Sequence, residues 1–361
     1  MTAYDVAVVG AGIAGCAVAM ACAQRAARVA LLDRGQPGAG ASGAAAGLLA
    51  PGGETDQPGA FFDAARASLA LWPELAAAAT EASGIDCGLS IDGLLRLAQD
   101  AAEVAALERR LAWQQAAGVA VEWLDETAVL ATEPACAAAP WGAAWYPGEG
   151  HVDSPASVRA LATGAERLGA TLLAGAEVAG ATPGGGLRLA GGAHLEAAVV
   201  VIAAGAWSGS VAATMGLPAP PLRPLRGQLI VLKGVGRLPD RVLYAGRLGY
   251  AVAGRDGFLL VGATEEDAGY EVAVTAAATE ELLTTARTLV TGAAAAILHG
   301  ARVGLRPAAP DRLPLLGELG NLGDTRVLIA SGHHRNGVLL APVTATGMAG
   351  LALEGTLPAG W

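Results

Sequence analysis

Aromatic side chains are scarce in this chain, at 4% of its residues, and charged ones make up only 16%. No Lys/Arg-rich patch interrupts a formal charge of -10, which argues against nucleic acid as a main partner. Long hydrophobic runs are missing too. AAVVVIAAGAW, Ala197 to Trp207, falls short of the roughly 18 residues a spanning helix needs, so no membrane segment is expected. The N-terminal MTAYDVAVVG has no cationic stretch before its apolar run, which speaks against a signal peptide. Cys16, Cys22, Cys87 and Cys136 show no CxxC spacing. They read as reduced packing thiols of a cytoplasmic protein, with no metal site expected.

What is abundant is small and apolar: 53% of residues are hydrophobic and 51 are glycine. With 361 residues the chain exceeds what one core usually serves, so two domains are expected. DVAVV (5–9), GAGIAG, small apolar residues at helical spacing (13–26) and VALLD (29–33) form a strand–turn–helix–strand unit. Helical patterns follow at about 60–80 and 100–117. HVDSPASVRALATGAERLGATLL (151–173) offers Asp153 or Ser154 as N-cap and Pro155 in the first turn. Between about 222 and 265, alternating segments separated by glycine turns predict an antiparallel sheet. A helix is expected at 276–291, a last buried strand at 326–332 and a last helix at 337–353. Buried, parallel-type strands thus fall at the start, middle and end, and two interleaved domains follow.

Gly10, Gly12 and Gly15 make a GxGxxG turn between strand and helix, and Asp33 ends the next strand. The glycines permit the turn, a close approach to a pyrophosphate, and helix–strand packing. The helix N-terminus offers N–H groups to phosphate, and Asp33 can accept from ribose hydroxyls. The Ala/Gly-rich stretch Arg34 to Pro51 could lie flat against a ring system or be a flexible loop.

GAGIAG, GASGAAAGLLAP, HVDSP, VVVIAAGAWSG, PLRGQ, GLRPAAPDRLPLLG and SGHHRNGVLLAP occur in that order. Together they resemble the D-amino-acid oxidase family of flavoproteins, and most closely its glycine oxidase, ThiO-type branch. The resemblance implies an α/β, Rossmann-type FAD-binding domain interleaved with a substrate domain on a mixed, largely antiparallel sheet. Residues 1–85, 150–220 and 300–361 would form the first, and 86–149 with 221–299 the second. It implies Ile13 and Ala14 on the pyrophosphate turn, and Asp33 with Arg34 at the adenosine ribose. Ala41, Ser42, Ala46, Gly47 and Leu48 would line the flavin, and Val178 would touch adenine through its backbone. His333, His334, Asn336, Gly337, Val338 and Leu339 would surround the ring, at the mouth of the last helix. Asn336 alternatively reads as a plain N-cap. Covalently linked relatives attach FAD through a late cysteine or an N-terminal histidine. Here no cysteine follows Cys136 and the first histidine is His151, so noncovalent FAD is expected.

In such enzymes hydride passes from the substrate α-carbon to the flavin, so a carboxylate clamp is sought rather than an acid–base residue. Arg306, in GLRP, is the first choice, because a guanidinium fork matches a carboxylate with two hydrogen bonds. A surface arginine at a strand end is the plain alternative. By the resemblance Arg335 lies at the substrate and the hydroxyl of Tyr250 meets its carboxylate, with Tyr244 as near competitor. Leu48 and Leu49 would shape the side-chain end of the pocket. The expected function is oxidation of glycine, sarcosine or a small D-amino acid to the imine, with O2 as acceptor giving H2O2, as in thiazole biosynthesis for thiamine. The expected assembly is a homo-oligomer of up to four subunits. The alternatives are a dehydrogenase using a quinone, a flavin module acting on modified tRNA, and a flavin-free binding module.

Overall fold

The structure is a computed structural model that describes residues 4–137 and 141–357. Its first strand, Tyr4–Val9, sits inside a six-stranded sheet. The spatial order is Leu315–Leu322, Thr325–Ser331, Ala197–Ile202, Tyr4–Val9, Val29–Asp33 and Thr171–Ala174. Every pair is parallel except the hairpin at the first edge. Val6, Ala7 and Val8 are wholly buried, as expected of a parallel strand covered on both faces. The helix Ile13–Gln24 buries 10 of its 12 residues between the helices Ser154–Arg167 and Ala341–Glu354. A helix apolar all round has no solvent face, and its small side chains let the neighbours close in. Asp153 is the N-cap of Ser154–Arg167, its carboxylate accepting from the Ala156 N–H at 3.0 Å.

The second sheet has eight strands, in the order Ile297–Ala308, Arg223–Lys233, Phe258–Gly262, Tyr250–Ala253, Val242–Tyr244, Leu94–Leu97, Ala143–Tyr146 and Glu122–Leu124. One parallel pair, Val242–Tyr244 beside Leu94–Leu97, makes it mixed. The last three strands are only three or four residues long, too short to show alternation in the sequence.

The two sheets meet where strand Ile297–Ala308 passes the short helix Ala41–Ala44. A Cβ on Gly304 would stand 2.9 Å from the Ala41 Cα, so only glycine allows this approach.

The last helix differs from the expectation. It begins at Ala341, not at 337, with Leu340 at its N-cap and Pro342 in its first turn. Residues 337–340 form a turn. Asn336 contributes a backbone carbonyl to the Leu340 N–H at 2.9 Å rather than a capping side chain.

Candidate active site

Between the sheets lies a cavity of about 690 Å³, large enough for a dinucleotide-sized ligand. At one end it is lined by Gly10, Gly12, Ile13, Ala14, Asp33 and Arg34. Gly10 has φ +113°, and a Cβ there would come within 2.4 Å of the Ala203 carbonyl oxygen. Gly12 is different: an added Cβ would meet only the Ser42 Oγ, at 3.3 Å, and would otherwise stand free. The Ser42 hydroxyl accepts from the Ile13 N–H at 2.9 Å and so secures the helix entrance. Asp33 accepts from the Ala11 N–H at 2.7 Å and the Gly35 N–H at 2.8 Å, one on each oxygen. Each oxygen keeps capacity for a further donor such as a sugar hydroxyl. The Arg34 guanidinium lies 4.1 Å from the Trp207 ring centroid, and Val178 lines the wall beside them.

The central wall includes Ala41, Ser42, Ala46, Gly47, Leu48, Gly337 and Val338. His333 and His334 also line it. Burial lowers the His333 pKa to about 4, and its Nε2 lies 3.0 Å from the Thr344 hydroxyl, so it is neutral and structural. Burial, helped by nearby arginines, likewise lowers His334 to about 4 against the opposing pull of Glu265. His334 is therefore neutral and donates Nε2–H to the Glu265 carboxylate at 3.0 Å.

At the far end Arg306, Tyr250, Tyr244, Arg335 and Glu54 converge on the cavity. Arg306 lies over Gly227, where a Cβ would stand 2.3 Å from its Nη1. The glycine of PLRGQ, which carries no chemistry of its own, thus makes room for this side chain. Arg306 donates to the Thr264 carbonyl at 2.8 Å, and no carboxylate pairs with it among the described residues. Burial lowers its pKa from the ordinary value. Tyr250 lies over Gly262, and burial pushes its hydroxyl up to about 12 although Arg306 and Arg335 pull the other way. It is therefore a protonated donor. Arg335 is already engaged: it donates to Glu54 at 2.7 Å and to the Tyr244 hydroxyl at 3.2 Å.

Three residues expected to touch a ligand do not line the cavity: Gly15, Asn336 and Leu339. A Cβ on Gly15 would meet the Gly10 carbonyl at 1.9 Å, so its glycine serves the packing of the turn. The Leu339 carbonyl accepts from Ser68 Oγ at 2.7 Å and Trp72 Nε1 at 3.2 Å, which turns the residue into the helical core. Leu49 is also wholly buried in that core. Sequence reasoning missed Glu54, Glu265 and Trp207. Trp207 stands in one of the quoted motifs, whereas Glu54 meets Arg335 across 281 residues with no local signal.

Glu54 ends the short helix Pro51–Glu54, which is tied down on all sides. The Gly52 and Gly53 N–H groups donate to the Glu149 carboxyl group. Gln114 Nε2 donates to the Gly52 carbonyl at 2.8 Å and Arg110 Nη1 to the Gly53 carbonyl at 2.9 Å. Burial pushes the Glu149 pKa up to about 8, against the two N–H groups. The unfolded chain releases this proton near pH 4.5 and the folded chain keeps it to about 8, so stability falls as pH rises through that window. Glu149→Gln is expected to flatten this part of the Tm-versus-pH profile. An unchanged slope would place the proton uptake on another group.

Residues 5–351 match the family model DAO, described as FAD dependent oxidoreductase. This chain belongs to the DAO family. The glycine oxidase of Geobacillus kaustophilus is 36% identical over 344 residues, covering 94% of this chain and 90% of that protein. The crystal structure of glycine oxidase from Geobacillus kaustophilus superposes with a TM-score of 0.93 at 35% identity, covering 99% of this chain and 96% of that one. The bifunctional protein ThiO/ThiG of Trichormus variabilis is 31% identical over 358 residues, which cover 97% of this chain and 53% of that longer protein.

This DAO-family protein is an FAD-dependent oxidoreductase, and its cavity suits the cofactor. Gly12 lines the cavity in front of the first helical turn, where the N–H groups lack intrahelical acceptors and can meet phosphate oxygens. No helix of the described residues is long and apolar enough to cross a membrane.

Proposed function

We propose that this enzyme oxidises glycine, sarcosine or a small D-amino acid to the imine, with O2 as electron acceptor. The observation that carries the reading is Arg306, a poorly solvated guanidinium facing the cavity with no ion pair among the described residues. A buried cation is costly unless paired, and a substrate carboxylate supplies the missing charge. Two N–H donors of Arg306 and the Tyr250 hydroxyl would fix the acid group and with it the direction of the α-carbon. Tyr250 remains protonated across the physiological range, so it acts as a donor and not as a base. Neutral His333 and His334 leave the site without an imidazolium, and a neutral amine is oxidised without an assigned general base. FAD supplies the hydride acceptor when bound.

Gly10, Gly12, Ile13 and Ala14 would hold the pyrophosphate, Asp33 and Arg34 the ribose, and Val178 the adenine. Ala41, Ser42, Ala46, Gly47, Leu48, Gly337 and Val338 would lie along the flavin. This reading puts residues 1–85, 150–220 and 300–361 in the FAD domain and 86–149 with 221–299 in the substrate domain. The interleaving of the two sheets along the chain supports that division, except that Ile297–Ala308 is wholly a strand of the eight-stranded sheet. We further propose a cytoplasmic homo-oligomer, and a role in thiazole formation for thiamine, for which the ThiO/ThiG relative is the support.

Steady-state turnover on glycine, sarcosine, D-alanine and D-proline with peroxide detection tests the function. Peroxide formed in step with amine loss is expected. Dye reduction without peroxide would assign a dehydrogenase, and no turnover on any amine would remove the amino-acid reading.

A further inference from the structure

Arg306 and Arg335 both face the substrate end of the cavity, and they differ in their partners. Arg335 is held by Glu54 at 2.7 Å, and the Glu54 side chain is 10% exposed. The backbone leading to Glu54 is held in place, because Glu149, Arg110 and Gln114 bond the two glycines before it. Among the described residues Arg306 has no such ion pair. Of these two, Arg306 keeps its guanidinium available to a substrate acid group, whereas Arg335 is already paired.

We propose that Glu54 sets substrate specificity by masking Arg335, so that amines with a single carboxylate are accepted and those with a second acid group are refused. The inference rests on the amino-acid reading above. A second carboxylate reaching towards Arg335 meets the Glu54 carboxylate, and like charges at close range repel. Discrimination thus comes from a repulsive element as well as from the Arg306 clamp. Neutralising Glu54 leaves the Arg335 guanidinium, whose side chain is 39% exposed, without its carboxylate partner and open to another anion. The substrate supplies it.

The test uses the FAD-loaded protein. The ratio of kcat/KM for D-aspartate or D-glutamate to that for glycine is measured in wild type, Glu54→Gln, and Glu54→Gln with Arg335→Ala. The ratio should rise roughly ten- to a hundredfold in Glu54→Gln and fall back when Arg335 is also removed. A ratio unchanged in Glu54→Gln, or a gain that survives loss of Arg335, would overturn the proposal. Glu54→Ala takes the place of Glu54→Gln if the latter does not accumulate folded. Calorimetric binding of acetate and malonate to wild type tests the mask without any variant. Malonate is expected to bind no better than acetate, and clearly tighter malonate binding would sink the proposal. Absence of turnover on every amine would discard the amino-acid reading, while the malonate comparison would still judge the mask.

Discussion

Arg306→Ala is expected to raise KM for the amino-acid substrate by roughly 10- to 150-fold, with a smaller change in kcat, the loss of a charge-assisted pair worth about 1.5–3 kcal/mol. The effect is large because, among the described residues, the guanidinium makes no ion pair and bonds the Thr264 carbonyl. Its contribution is held for the ligand. Binding that is equal in ground and transition states appears in KM; an accompanying fall in kcat would report misalignment of the α-carbon. Arg306→Lys restores the charge without the fork and should recover only part of the loss. Michaelis–Menten parameters that match wild type would place the carboxylate site elsewhere.

Gly12→Val is expected to yield a folded, colourless protein that no longer retains FAD. A Cβ at this position meets only the Ser42 Oγ, at 3.3 Å, so the protein without cofactor has room for it. The two γ-methyls project into the space in front of the first helical turn, where the pyrophosphate would lie. Gly15 makes the contrast: a Cβ there meets the Gly10 carbonyl at 1.9 Å, so Gly15→Val should damage folding itself. Flavin absorbance and far-UV circular dichroism of the two purified variants separate loss of cofactor from loss of fold. Normal flavin content in Gly12→Val would contradict the phosphate assignment.

Much of the nucleotide half is legible in the sequence because its signals are local. A buried strand, three glycines at fixed spacing and Asp33 all fall within about thirty residues, and backbone geometry dictates each. Asp153 as a cap and the alternating strands near 222–265 are readable for the same reason. The substrate end is less so. Arg306 can be singled out as a guanidinium beside a proline, but its free state depends on a missing partner, which only the folded chain reveals. Glu54 is one acid among 33 Asp and Glu residues, and its meeting with Arg335 is made by tertiary folding. Apolar periodicity starts the last helix four residues early, because Gly337 to Leu340 carry apolar residues that suit a turn as well as a helix. Leu339 reads as a ligand contact by its neighbours, yet its carbonyl satisfies Ser68 and Trp72.

The most direct measurement is a crystal structure of the FAD-loaded protein soaked with glycolate, an unreactive match for glycine in its acid group. FAD is expected along the cavity from Asp33 to Leu48, with the glycolate carboxylate bridging the Arg306 guanidinium and the Tyr250 hydroxyl. A carboxylate bound away from Arg306, or FAD outside this cavity, would contradict the assignment of both sites.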